Sequence, residues 1–180
     1  MPLFKNKYRI KSTRFPGWDY SSNGMYFVTI CTKNKTHYFG NIVNGKMNLN
    51  KHGQIANQYW TDIPTHFSNV HLDAYIIMPN HIHGILIIHN VKRRDAINRV
   101  STGGITKTNN PMLNKSISRI IRWYKGRVTF EINKTGNDTH FAWQPRFHDH
   151  IIRNEHSLHH IRKYIQNNPT KWDRDEYNIR

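Results

Sequence analysis

The stretch Tyr75–Ile88 reads YIIMPNHIHGILII. Two apolar runs flank Pro79-Asn80, and the second opens with His81-Ile82-His83. Alternation after the turn is strict. Side chains two apart in a strand share a face. His81, His83, Ile85 and Ile87 are therefore expected on one side, and Ile82, Gly84, Leu86 and Ile88 on the other. Two imidazoles on one face, one residue apart, can ligate a single metal ion, and an apolar back face would hold them still. The plainer alternative is a pair of partly exposed strand histidines with no ligand.

Outward from this stretch, periodicity sets the neighbouring elements. Toward the N-terminus, Val70–Met78 is the partner strand of His81–His89, joined to it by the Pro79-Asn80 turn. Before it, Ile55, Tyr59 and Ile63 keep helical spacing, so a helix is predicted over 51–63, capped by Asn50 and stopped by Pro64. Asn44-Gly45 is a two-residue hairpin turn between Phe39–Val43 and Lys46–Leu49. Met25–Thr32 is β-branched and aromatic and reads as a strand. Residues 1–24 are basic and irregular, with Arg9, Lys11 and Arg14 as candidate phosphate contacts or simply a solvated basic arm.

Toward the C-terminus, residues 90–111 lack apolar periodicity and read as a mobile loop inside one domain spanning 1–180. Met112–Phe130 is predicted to be a helix with the stripe Leu113, Ile117, Ile120, Ile121, Tyr124 and Val128. Its other faces are basic, and Arg119, Arg122 and Lys125 are candidate DNA contacts. Arg146–Ile152 is the last strand. A terminal helix over 155–167, capped by Asn154, ends at Asn167-Asn168-Pro169, and a polar tail follows. The order is that of an α+β, ferredoxin-like or RRM-like β-α-β-β-α-β split fold. Two helices would cover one sheet face, and the terminal helix would pack on the other.

Composition narrows the partner. Lys and Arg number 27 against 11 Asp and Glu, a net charge of +16 with a pI near 10.2. Such a chain is expected to meet a polyanion, nucleic acid first. Apolar runs fall far short of the roughly 20 residues that span a bilayer, and the basic N-terminus lacks an apolar leader core. No membrane partner is expected, and a cytoplasmic location fits. A single cysteine, Cys31, excludes an internal disulfide and a cysteine-rich zinc site.

The terminal helix sharpens the reading of the histidines. Leu158, Ile161 and Ile165 form its apolar stripe, while His160, Tyr164 and Asn168 lie four apart on a neighbouring face. A phenol and an amide oxygen one turn apart could face His81 and His83. Two imidazoles and an amide oxygen suit Mn²⁺ or Mg²⁺ better than structural zinc. The ion would polarise a phosphodiester, and Tyr164 would attack phosphorus to give a covalent phosphotyrosine. On its own, Tyr164 would read as a helix-surface or core aromatic. His148 and His150 share a strand face; Asp149 points away. Asp149 or His150 could orient a ligand histidine; the simpler expectation is that they are polar residues facing solvent.

Several segments in this order resemble one family, the single-tyrosine HUH transposases, and within it the REP-associated tyrosine transposases. They are Gly17–Asn34 (GWDYSSNGMYFVTICTKN), Tyr75–Ile85 (YIIMPNHIHGI), Ser101–Leu113, Arg119–Ile132 (RIIRWYKGRVTFEI), Phe141–Glu155 (FAWQPRFHDHIIRNE) and Tyr164–Trp172 (YIQNNPTKW). The resemblance implies that His81, His83 and Asn168 are the metal ligands and Tyr164 the nucleophile. It implies a 5′-phosphotyrosine link, a free 3′-hydroxyl, Mg²⁺ or Mn²⁺, and no nucleotide cofactor. The implied substrate is single-stranded hairpin DNA with a short flanking recognition sequence, cut by a monomer or a homodimer. One departure stands out: His148 follows Phe147 where relatives often carry Tyr or Trp.

Two other readings use the same residues differently. A non-catalytic RRM-like binding module would want exposed aromatics on the central strands. A water-using metal phosphodiesterase would need the histidines but be indifferent to Tyr164. A nucleic-acid partner makes one prediction whichever reading holds. Each neutralised phosphate releases condensed counterions, so affinity should fall steeply with salt in a titration series. A flat salt response would contradict it.

Overall fold

The computed structural model describes residues 18, 20, 22–89, 116–134 and 141–178. The elements are β1 (Gly24–Cys31), β2 (Gly40–Val43), β3 (Lys46–Leu49), α1 (Lys51–Thr61), α2 (Ile63–His66), β4 (Val70–Ile77) and β5 (His81–Ile88). They continue with α3 (Ile117–Lys134), β6 (His148–Ile152) and α4 (Glu155–Asn167). Local chemistry sets several boundaries. Asn50 Oδ1 accepts from the Gly53 amide at 2.9 Å and opens α1; Asn154 Oδ1 accepts from the Ser157 amide at 2.8 Å and opens α4. Asn44 and Gly45, both with positive φ, turn the β2–β3 hairpin.

The main sheet has the order β4-β5-β1-β6, and all its pairs are antiparallel. This is the strand order of the split β-α-β fold, with the β2–β3 hairpin inserted after β1. Alternation along β5 divides the molecule into two layers. Ile82, Leu86 and Ile88 join Tyr26, Val28 and Ile30 of β1 in the larger core, against Trp60 of α1 and Ile120, Tyr124 and Val128 of α3. Ile85 faces the other way, into a smaller cluster with Ile152 and with Leu158 and Ile165 of α4. The side of the sheet that carries His81 and His83 is thus the side covered by α4.

Several expectations are corrected. Pro64 does not simply stop a helix: α1 ends at Thr61, and Pro64 sits in the first turn of α2, where its missing N–H costs nothing. The third helix runs to Lys134, past Phe130, and buries Ile132 as well; residues 112–115 lie outside the described residues, as do 1–17 and 90–111. The last strand begins at His148 rather than Arg146. The polar tail is structured: Pro169–Arg174 form a 3-10 helix that buries Pro169 and Trp172. Among the described residues, no helix is long and apolar enough to cross a membrane.

Gly84 shows how tightly the two layers are coupled. It pairs with Val28 and Tyr75 on the core face, and a Cβ there would overlap the fully buried Trp60 indole. Gly84→Ala is expected to destabilise the protein by about 1–3 kcal/mol through overpacking. The readout is a lower urea midpoint at unchanged slope; a wild-type midpoint would contradict this packing.

Candidate active site

The Pro79-Asn80 turn does more than reverse the chain. Asn80 is fully buried, and its Nδ2 donates to the carbonyls of Lys35 at 2.9 Å and Tyr177 at 2.7 Å. Both partners only accept, so the amide orientation is fixed and Oδ1 faces His81 Nδ1 at 2.8 Å. An amide oxygen cannot donate, so His81 carries its proton on Nδ1 and presents a lone pair at Nε2. His83 stands two residues on. Its Nδ1 is 2.9 Å from Thr29 Oγ1, which comes from the paired position on β1. The Nε2 atoms of the two histidines lie 3.0 Å apart.

That spacing tests whether a cation fits. The gap is bridged either by a proton on His83 or by a positive ion. Two bonds of about 2.1 Å meeting near a right angle span about 3.0 Å, the edge of an octahedral shell. The Thr29 hydroxyl can give or take a proton, so it can accept from Nδ1–H when a cation claims Nε2 of His83. Burial lowers both imidazole pKa values. That of His83 falls to about 3, with the nearby His148 adding to the effect. For His81, burial acts first, then His83, Lys35 and His37. Both rings are therefore neutral near pH 7, as metal ligation requires. Cys31, paired with His81 across the sheet, stays a thiol: burial pushes it up to about 11.

Tyr164 reaches the same point from α4. Its Oη lies 3.2 Å from His83 Nε2. Phe27 stacks on His83 at 5.4 Å between centroids and meets Tyr164 edge-on at 6.1 Å. The phenol is 43% exposed, so its ring is supported while one side stays open. Burial, followed by the charges of Asp175 and Glu176, raises its pKa to about 12, with the Asn168 amide pulling the other way. Asn168 closes α4. Its Nδ2 donates to Asp175 Oδ2 at 3.0 Å, and its buried Oδ1 has no hydrogen-bond partner among the described residues. An orphaned buried acceptor is costly, and a cation would satisfy it. Among the described residues, no three of His, Cys, Asp and Glu converge, so an ion held by the two imidazoles would need a donor of another kind, for which this amide oxygen is the candidate.

Arg162 ties helix α4, already packed through Leu158 and Ile165, to β4. Its guanidinium binds Asp73 through two bonds, of 2.8 and 2.6 Å. Asp73 lies in the stretch of β4 where the pairing register shifts, between Leu72 and Tyr75. The tail caps the other side. The Tyr177 ring lies 4.6 Å from that of His81, and the Trp172 ring 6.0 Å.

The structure thus joins His81, His83 and Tyr164 directly and sets Asn168 at the same helix end. As residues of this site, Thr29, Asn80, Phe27, Asp73 with Arg162, and Tyr177 are missing from the sequence reading. Only Asn80, adjacent to His81 in a tight turn, carried a local signal; the rest need strand register or tail folding. Asp149 is a correction. It is buried opposite Val28, on the α1/α3 side of the sheet, with neither oxygen bonded among the described residues, so it neither orients a ligand histidine nor lies on the surface. The histidine-orienting roles fall instead to Asn80 and Thr29. Arg9, Lys11 and Arg14 lie outside the described residues. Arg119 and Arg122 are exposed on α3, with the sheet between them and the histidines. Lys125 turns inward, donating to the carbonyls of Gln144 at 2.7 Å and Arg146 at 3.0 Å, and burial lowers its pKa to about 8.

The family described as "Transposase IS200 like" matches residues 110–168, the span that includes α3, β6, α4 and Asn168. His81 and His83 lie outside that span. An uncharacterized protein of Haemophilus influenzae is 40% identical over 167 residues, covering 92% of this chain and 91% of its own. In fold, the chain resembles a REP-associated tyrosine transposase solved bound to a REP hairpin. That match has a TM-score of 0.59 and 20% identity, over 93% of this chain and 74% of the other.

Thr29 supports His83 without reaching solvent, which makes a clean test. Thr29→Val keeps the shape and removes the hydroxyl. It is expected to weaken Mn²⁺ binding by roughly 10–100-fold, read by calorimetry, with the fold retained. Unchanged affinity would contradict the orienting role.

Proposed function

We propose a function for a chain that belongs to the IS200-like transposase family: it cuts single-stranded hairpin DNA with Tyr164 and rejoins the strand it holds. The observation that carries this reading is the phenol oxygen 3.2 Å from His83 Nε2, itself 3.0 Å from His81 Nε2. A nucleophile-bearing residue, itself partly exposed, and a converged pair of neutral, buried donors meet at one point. A divalent ion, Mg²⁺ or Mn²⁺, held by His81, His83 and Asn168 would polarise the scissile phosphodiester.

The chain's own residues account for the rest. Tyr164 loses its proton, and its oxygen bonds to phosphorus. The P–O3′ bond breaks, and the departing 3′-oxygen takes up a proton. The product is a 5′-phosphotyrosine that keeps the energy of the broken bond. A second DNA 3′-hydroxyl can attack it, restoring the strand and the phenol. With a pKa near 12 the resting phenol is protonated, which keeps the nucleophile quiet until positive charge and substrate arrive. Phe27 and the Arg162–Asp73 pair hold the ring and its helix in the attacking position. The charge of +16 favours the phosphate backbone. A hairpin substrate with a short flanking recognition sequence is consistent with the fold likeness to a transposase bound to a REP hairpin.

The RRM-like reading finds little support in the same arrangement. Helix α4 occupies the sheet face a binding module would leave open, Tyr26 is buried, and Phe27 is engaged with His83 and Tyr164. Tyr164→Phe separates nucleophile from binding. It is expected to abolish nicking of a single-stranded hairpin oligonucleotide, a loss on the order of 10³-fold or more, while leaving its binding intact. Retained nicking would overturn the tyrosine mechanism and favour hydrolysis by water.

A further inference from the structure

A groove of about 520 Å³ opens beside Tyr164 between β6 and α4. Four histidines line it, His148 and His150 from β6 and His156 and His160 from α4, together with Phe27 and Tyr164. None of the four belongs to the proposed set of His81, His83 and Asn168. His156 and His160 are one helical turn apart and exposed, and their Nε2 atoms lie 3.2 Å from each other. We propose that this pair is a second cation site, selective for borderline transition ions of the Zn²⁺, Ni²⁺ and Cu²⁺ class.

The donor chemistry sets the selectivity. An imidazole-only pair suits borderline ions, whereas Mg²⁺ and Mn²⁺ favour oxygen. Bonds of about 2.0–2.1 Å across a 3.2 Å gap meet at about 100°, between octahedral and tetrahedral angles. Two histidines at i and i+4 on one helix face are the arrangement in which helices grip zinc. Exposure removes the desolvation cost that a buried site would carry. The described arrangement brings no third His, Cys, Asp or Glu onto the pair, so the ion keeps open positions toward the groove. The site does not depend on the cleavage reading, and its test uses metal binding alone.

The experiment is calorimetric titration of the full chain with Zn²⁺ and, separately, Mn²⁺, beside the variant His156→Ala/His160→Ala. Both positions are exposed, so the variant should fold, and circular dichroism checks this. Wild type is expected to take up one more equivalent of Zn²⁺ than of Mn²⁺. The variant should lose that equivalent or bind it at least roughly tenfold more weakly. Histidine ring ¹⁵N shifts on adding Zn²⁺ should move at positions 156 and 160. Equal uptake of the two ions by wild type would overturn the site, as would undiminished Zn²⁺ binding by the variant.

Discussion

Strand β5 pairs on both edges, with β4 and β1, and carries buried side chains on both faces. A slip of one residue would send His81 and His83 into the apolar core and Ile82 and Leu86 toward α4. The Trp60 indole leaves no room for a Cβ at position 84, which pins the register from the core side. From the other side, the Asn80 amide and the Thr29 hydroxyl grip the two Nδ1 atoms. The direction of both imidazoles is therefore settled by packing and hydrogen bonding before any ion or substrate arrives. That preorganisation is what an active site needs if little is to move at the moment of reaction.

Electrostatics follow from this burial. Desolvation keeps both imidazoles neutral and the phenol protonated, so the resting site holds no charge of its own at its centre. Asp175 and Glu176 stand close enough to raise the phenol further. A cation would reverse that balance, since positive charge beside Tyr164 lowers what the carboxylates raise. The buried Oδ1 of Asn168, unpaired among the described residues, points the same way: it carries a cost that a cation would remove.

Much of this was legible in the sequence because it rests on short-range periodicity. Alternation in Tyr75–Ile88 placed the histidines, the i, i+4 spacing of Tyr164 and Asn168 put them on one helix edge, and Asn50, Asn154 and Asn44-Gly45 marked caps and turn. What escaped depends on contacts distant in sequence. Thr29 meets His83 only once the β1–β5 register is known. Asp73 meets Arg162 across 89 positions of the chain. The tail looked polar because Trp172 and Tyr177 stand among charged residues, yet their rings close over His81. Asp149 alternated as expected, but sequence alone could not say that its side of β6 was buried. The helix α3 gave its apolar stripe away, while its Lys125, read as a candidate DNA contact, donates to two backbone carbonyls.

The central claim is that Tyr164 becomes covalently joined to DNA. Incubating the protein with Mn²⁺ and a single-stranded hairpin oligonucleotide, then digesting and weighing its peptides, tests this directly. The expected result is a nucleotide adduct on the peptide that carries Tyr164, together with a released strand ending in a 3′-hydroxyl. Cleavage with no adduct on any peptide, or an adduct on a different tyrosine, would contradict it.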